Sequence, residues 1–404
     1  MPLSWRLRGR STFLTPPSTP DACRRSATVA HTQRNISSDG QKVPAADSKD
    51  VEAWLRLALT EGLGNAALRK LLADLGSPEL VLASRPTELK RYVAPEVATA
   101  VAQGGNALAA QQAISWLDDA ANHIVTLADA DYPRLLLQVP DPPPLLYVKG
   151  RLDLLNRNSL AIVGSRNATE QGAENAENFA HALSDAGLTI VSGLALGIDA
   201  AAHRGGLAGS AGSFAIVGTG LDVVYPARNR ELAHRLASEG ALLSEFALGT
   251  PPIAGNFPRR NRLISGISMG CLVVEAALES GSLITARLAN EQGRDVFALP
   301  GSIHAPLAKG CHALIKQGAK LVDSANDILE ELRFAKTAER GKFDTPIAAE
   351  TQRLLDRIGY EPCTFDAICA RLEMPAEGVA QLLLQLELQG LIESLAGGLY
   401  LRVR

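Results

Sequence analysis

The sequence predicts an α/β protein: a Rossmann-like, doubly wound and mostly parallel sheet, flanked by a small helical module before it and a winged helix after it. Three observations carry this. Between Ser159 and Ser324, short β-branched runs alternate with helical stretches, the pattern of a parallel sheet covered on both faces. Upstream, leucines recur at helical spacing between glycine breaks. Downstream, two helical stretches meet at Glu373-Met374-Pro375 and are followed by two short runs around Gly397-Gly398, which reads as helix–turn–helix plus a hairpin wing.

Residues 1–46 are polar, rich in Pro and Ser and without periodicity, so a disordered extension is expected. The lack of a continuous apolar core argues against a secretory signal, while the Arg/Ser-rich, acid-poor start leaves a transit peptide as the lesser alternative to a disordered extension. Residues 47–122 are expected to form the helical module, of helix-hairpin-helix or SAM-like type. Trp54, Leu55, Leu57 and Leu59 begin it, and Leu68, Leu71, Leu72 and Leu75 follow on the next helix. Gly62-Leu63-Gly64 turns the chain between the two, and turn residues explain these glycines better than a phosphate cradle does. The stretch 131–150, with Pro133, Pro140 and Pro142-Pro143-Pro144, cannot be helical and is expected to be an extended connector.

Residues 123–335 are expected to hold the Rossmann-like domain. Its strands are LAIVG from Leu160, LTIVSG from Leu188, SFAIVGTG from Ser213, ALLSEF from Ala241, CLVVEAAL from Cys271, DVFALPG from Asp295 and KLVDS from Lys320. Helices are expected over 169–186, 198–204, 230–239, 285–292 and 313–317. FAKTAERGKFD, near 334–344, is charged and interrupted by glycine, hence a linker candidate. Residues 345–404 are expected to form the winged helix.

The chain has 404 residues and a formal net charge of −3. Residues 1–46 carry seven Arg/Lys against two Asp/Glu, which leaves the rest near −8. Any nucleic-acid binding by the folded part must therefore come from a local basic patch. Cys23, Cys271, Cys311, Cys363 and Cys369 form no CxxC pair and have no His partner at zinc-finger spacing. That fits a reducing cytoplasm rather than a disulfide framework, and no metal site is expected. No run approaches the ~18 apolar residues of a membrane span.

Right-handed crossovers place ligands at the carboxyl ends of the strands, and the chemistry gathers there. The first strand ends in Gly164-Ser165-Arg166, a sharp turn with a hydroxyl and a guanidinium, ahead of a helix N-terminus. The second ends in Ser192-Gly193, where backbone can approach a ligand closely, but it lacks the G-x-G-x-x-G dinucleotide fingerprint, so no cofactor is expected. Asp199 reads as a helix-start cap. His203 has no nucleophile at motif spacing to serve. The third leads to Tyr225-Pro226-Ala227-Arg228-Asn229-Arg230, an aromatic beside two arginines. The long loop expected after the fourth carries Phe257-Pro258-Arg259-Arg260-Asn261-Arg262, the densest positive charge in an acidic domain. After the fifth, Ser280, Gly281, Ser282 and Thr285 form another cradle at a helix start. Several anion-friendly loops on one edge suit a polynucleotide backbone better than a single phosphate.

These segments in order (VGSRNAT, SGLALGIDAAAH, GTGLDVVYPARNR, LLSEFALGTPPIAGNFPRRNRLISGIS, LVVEAALESGSLITARLANEQGRDVFALPG, KGCHALIKQGAKLV) closely resemble the DNA-processing protein A family, DprA, also called Smf. The resemblance spans residues 52–404; the first 46 residues have no counterpart in the family pattern. It implies single-stranded DNA binding by the Rossmann-like domain, homodimerisation, and delivery of RecA onto incoming DNA during natural transformation, with no catalysis. It also implies DNA contacts at Ser165, Arg166, Arg228, Arg259, Arg260, Asn261 and Arg262, with Gly281 and Ser282 nearby; the reading of the loops adds Gly164, Gly193 and Phe257.

Two other readings stand beside this. The fold and the Ser280–Thr285 loop also resemble the lysine-decarboxylase-like phosphoribohydrolases, whose PGGxGTxxE motif carries a Glu for catalysis. Aligning Thr285 with the motif's Thr puts Leu288 at the Glu position, and leucine cannot activate water. The winged helix could read DNA instead, but its candidate recognition helix, 376–389, holds Glu377 and Glu387 and no Lys or Arg, which disfavours groove binding.

Overall fold

The computed structural model describes residues 48–334, 355, 363–372, 374–388, 391–395 and 399–402. The extension 1–46, most of the linker candidate and the Gly397-Gly398 wing turn lie outside the described residues. The described chain falls into two units, one ending at residue 334 and one from residue 355 onward.

The first unit opens with six helices: α1 (Ser48–Ala58), α2 (Asn65–Leu75), α3 (Pro78–Ala83), α4 (Pro86–Leu89), α5 (Pro95–Ala102) and α6 (Ala107–Trp116). Leu57, Leu68, Leu71, Val81 and Leu89 close a core of their own. This is the helical spacing of the sequence turned inward.

A nine-stranded sheet follows, in the order β1-β2-β6-β5-β4-β3-β7-β8-β9. Its strands are β1 (Asn122–Thr126), β2 (Leu145–Gly150), β3 (Ser159–Val163), β4 (Thr189–Ser192), β5 (Ser213–Ile216), β6 (Ala241–Ser244), β7 (Gly270–Val273), β8 (Asp295–Ala298) and β9 (Lys320–Leu321). The run from β6 to β9 is parallel throughout. β2 adds to β6 antiparallel, and β1 to β2 likewise. The proline-rich connector is thus partly structured: it ends in β2, inside the sheet, after a short 3-10 turn at Arg134–Gln138. Its prolines precede the strand, where a missing N–H costs no ladder bond.

Helices cover both faces: α7 (Glu170–Asp185), α8 (Ile198–Ala208), α9 (Arg230–Glu239), α10 (Asn256–Ile267), α11 (Gly281–Glu291), α12 (Lys309–Lys316) and α13 (Ala325–Glu331). Along β3, Leu160 and Ile162 face α7 and α8, while Ala161 and Val163 face α10 and α11. This is a period of two with apolar residues on both sides, as a buried parallel strand requires. At the other end of the sheet, Trp54, Leu55 and Ala110 pack with Tyr147, Ala215 and Leu242. The helical segment therefore shares a core with the sheet.

Strand order reverses at β3: β4, β5 and β6 are laid down on one side of it, β7, β8 and β9 on the other. The loops after β3 and β7 diverge there and leave a crevice at the carboxyl edge.

The second unit has β10 (Cys363–Thr364), α14 (Phe365–Leu372), α15 (Ala376–Leu388), β11 (Ile392–Leu395) and β12 (Leu399–Arg402), with sheet order β10-β12-β11. Leu355, Ile368, Leu372, Val379, Leu383 and Leu386 fill its core. Two helices and an antiparallel wing match the expected winged helix.

Candidate nucleic-acid interface

A cavity of about 490 Å³ opens at the β3/β7 crevice. Gly164, Ser165, Arg166 and Asn167 line it from β3; Glu279, Ser280, Gly281, Ser282 and Thr285 line it from the turn into α11; Phe257, Arg260 and Asn261 line it from α10. Gly164 lies under Ile198 and the Glu275 carbonyl, where a β-carbon would come within 2.6 and 2.9 Å, so only glycine lets the loop bend there. Ser280 caps α11, its oxygen accepting from the Ser282 N–H, and the two hydroxyls are 2.6 Å apart. The helix accordingly starts at Gly281, four residues before the expected Thr285.

The arginine segment is the main correction to the sequence reading. Residues 256–262 form the first turns of α10 rather than a loop. Pro258 is tolerated because the first turn's N–H groups have no intrahelical acceptor. A helix sends neighbouring side chains in different directions and brings residues three apart together. Arg259 and Arg262 consequently share one face, and both donate to the Glu245 carboxylate, Arg259 at 3.1 Å. Arg262 also reaches Asp141, which in turn takes Arg69 from α2 at 2.6 Å. The Glu245 side chain is 1% exposed and Arg262's is 13%; burial pushes the Glu245 carboxyl above its usual range against the pull of both arginines. Neither Arg259 nor Arg262 lines the cavity.

Arg260 points the other way, into the cavity wall, and is 4% exposed. Its Nη1 donates to the Ile216 carbonyl at 2.7 Å, while Nε has no partner. Burial lowers its pKa to about 10. Its guanidinium runs past Gly193, where a β-carbon would stand 1.7 Å from Nη1. Gly193 does not line the cavity; it makes room for Arg260, and its N–H donates to Asp199 at 3.1 Å.

Phe257 holds two cations over its ring: Arg166 at 5.8 Å and Arg260 at 6.0 Å from the centroid. Arg166 is exposed, and Tyr225 lies beside Phe257 with centroids 5.6 Å apart. Arg228 is exposed on a 3-10 turn outside the cavity.

Two expectations about helix ends change. The α7 N-terminus, expected to add its dipole to the site, is occupied: Thr169 caps it, and Glu275 accepts from Thr169 N and Oγ1 at 3.0 and 2.6 Å. A carboxylate already holds the place an anion would take. Asp199 braces the preceding loop, its Oδ2 accepting from Gly193 and Ala195, and burial raises its pKa. His203 is fully buried, bonded to Ser213 Oγ at 2.8 Å, and burial pushes it down to about 3. It is not among the cavity residues.

Asn167, Asp199 and Glu279 also line the cavity without having been expected there, as do Ser280 and Thr285, which the sequence reads as part of a cradle. The turn into α11 signals the last three; nothing local signals that Glu245 claims two of the arginines. Among the described residues, no three His, Cys, Asp or Glu side chains gather as a metal site would need, and no helix is long and apolar enough to cross a membrane.

The profile of the family described as DNA recombination-mediator protein A matches residues 123–333, and that of the DprA winged helix domain matches residues 339–398. The chain belongs to this family. Protein Smf of Escherichia coli K12 is 44% identical over 303 residues, 73% of this chain and 81% of that one. Protein Smf of Synechocystis sp. PCC 6803 is 35% identical over 392 residues, 86% and 98% of the two chains. The X-ray structure of DNA processing protein A (DprA) from Streptococcus pneumoniae superposes with a TM-score of 0.61 at 36% identity, covering 72% of this chain and all of that one. Family membership agrees with the motif order that the sequence displays.

Proposed function

We propose that this protein binds single-stranded DNA at the β3/β7 cavity and acts, as a cytoplasmic homodimer without cofactor, to deliver RecA onto that strand during DNA uptake. One observation carries the DNA reading: the Arg166 and Arg260 guanidiniums both lie over the Phe257 ring, 5.8 and 6.0 Å from its centroid, in a cavity also lined by Ser165, Ser280, Gly281 and Ser282. An aromatic face for a base and donors for the phosphate beside it are what an unpaired strand uses and a duplex conceals. The contacts in this reading are Arg166, Arg260, Asn261, Gly281 and Ser282, all of which line the cavity. Arg259 and Arg262 would contribute only on leaving Glu245. Membership of a family of recombination mediators supports RecA as the partner.

Asp199 and Glu279 on the cavity wall favour a second reading, a nucleotide hydrolase. Against it, Asp199 already accepts two backbone N–H groups, and Leu288 stands where that chemistry places its Glu.

A filter-binding titration with single-stranded DNA, duplex DNA and AMP as competitors tests both. Only the single strand should compete strongly, and no adenine should be released from AMP. Equal competition by duplex would sink the single-strand reading, and released adenine would restore the hydrolase. RecA filament assembly on precoated single strands, with and without the protein, tests the delivery step.

A further inference from the structure

We propose that Arg69 of α2 is a positioning residue for strand binding: through Asp141 and Arg262 it clamps the outer side of α10, the helix whose inner side lines the cavity. This rests on the cavity being a single-strand site.

The two sides of α10 have different neighbours. Phe257, Arg260, Asn261 and Ile264 recur at helical spacing and line the cavity. Arg259, Arg262 and Gly266 share another side, and the connector between β1 and β2 runs along it. A β-carbon at Gly266 would come within 2.5 Å of Val139 and 3.1 Å of Leu136, so helix and connector touch closely there. Arg294 fastens the same place, donating to the carbonyls of Leu135 and Gly266 at 3.3 Å. One turn earlier, Arg262 donates to the Asp141 carbonyl as well as to Glu245. The connector thus grips α10 at two successive turns.

The helical module in turn holds the connector. Leu68 and Leu71 of α2 face the core of that module. Arg69 lies between them in sequence and reaches outward: its Nη1 donates to Asp141 Oδ1 at 2.6 Å and to the Pro142 carbonyl at 2.7 Å. Asp141 therefore stands between two guanidiniums, one from α2 and one from α10. Arg69 does not line the cavity, so it acts on a bound strand only through this chain. The Arg69 and Asp141 side chains are 22% and 43% exposed, and an ion pair so open to water has a modest effect. Coupling is reciprocal, so a strand that fixes α10 also steadies α2.

Fluorescence anisotropy with a labelled oligothymidylate at several salt concentrations, and hydrogen–deuterium exchange with and without the unlabelled strand, test this on the full chain. Arg69→Ala should weaken binding about two- to fivefold, the range of a partly exposed ion pair. Its slope of log K against log salt should match wild type, because Arg69 touches no phosphate; a cation on the strand would flatten it by about 0.7 when removed. Arg69→Lys keeps a donor for Asp141 and should bind as wild type does. The strand should slow exchange across residues 65–75 in wild type and Arg69→Lys but not in Arg69→Ala, and should protect α10 in all three. Wild-type affinity in Arg69→Ala, a flattened slope, or unchanged α2 exchange in strand-bound wild type overturns the clamp and leaves the cavity reading intact. A wild-type protein that does not bind the oligomer overturns both.

Discussion

Arg259, Arg260 and Arg262 are neighbours in sequence, yet they do not all share one environment. Arg260 is buried in the cavity wall, Arg262 is locked to Glu245 and Asp141, and Arg259 is exposed but also held by Glu245. Substitutions should separate accordingly. Arg166→Ala removes an exposed, unpaired cation, so single-strand binding should weaken and its salt slope flatten by about 0.7, with the thermal midpoint unchanged. Arg262→Ala leaves the Glu245 carboxylate buried with one partner fewer, a loss of order 3 kcal/mol, so urea unfolding should show it first. An Arg262→Ala protein as stable as wild type but flatter in salt slope would place Arg262 on the DNA after all. The cluster was legible as charge; which arginine stays available was not, because Glu245 approaches from the segment just after β6.

At the scale of elements, the expected parallel strands and most helices were legible because apolar periodicity is local. α10 was not: the glycines and prolines from Gly249 to Pro258 read as loop, although Pro258 falls where a helix accepts it. β1 and β2 were hidden for a related reason, since prolines up to Pro144 masked a strand whose pairing with β6 is long-range. In the second unit, α15 carries Glu377 and no Lys or Arg, a poor helix for approaching phosphates. Truncation after residue 334 should therefore keep single-strand affinity within about threefold, a change under 1 kcal/mol, in a gel-shift titration. Complete loss would assign strand contact to the winged helix.

For the molecule as a whole, stability is tied to pH through His203, held neutral within the sheet's helical cover. Burial lowers its folded pKa to about 3, whereas unfolded it titrates near 6.5. Below that value the unfolded chain takes up a proton that the folded chain refuses, so stability is full above about pH 6.5 and is lost as pH falls toward 3. The slope is at most about 1.4 kcal/mol per pH unit from this one group. Urea midpoints at pH 7 and pH 5 should fall by less in His203→Gln than in wild type. Equal falls would show that His203 protonates without unfolding.

The sequence by itself determined the α/β architecture, the winged helix, the family and the strand-end loops that carry the chemistry, because periodicity, turn residues and motif order are properties of short segments. Only the tertiary structure decided which of those residues face one cavity. Glu275 fills the α7 N-terminus, Gly193 makes way for Arg260, and Glu245 withdraws Arg259 and Arg262. Each of these joins residues that local sequence keeps apart, and a charge acts through its nearest partner in space, not its nearest neighbour in the chain.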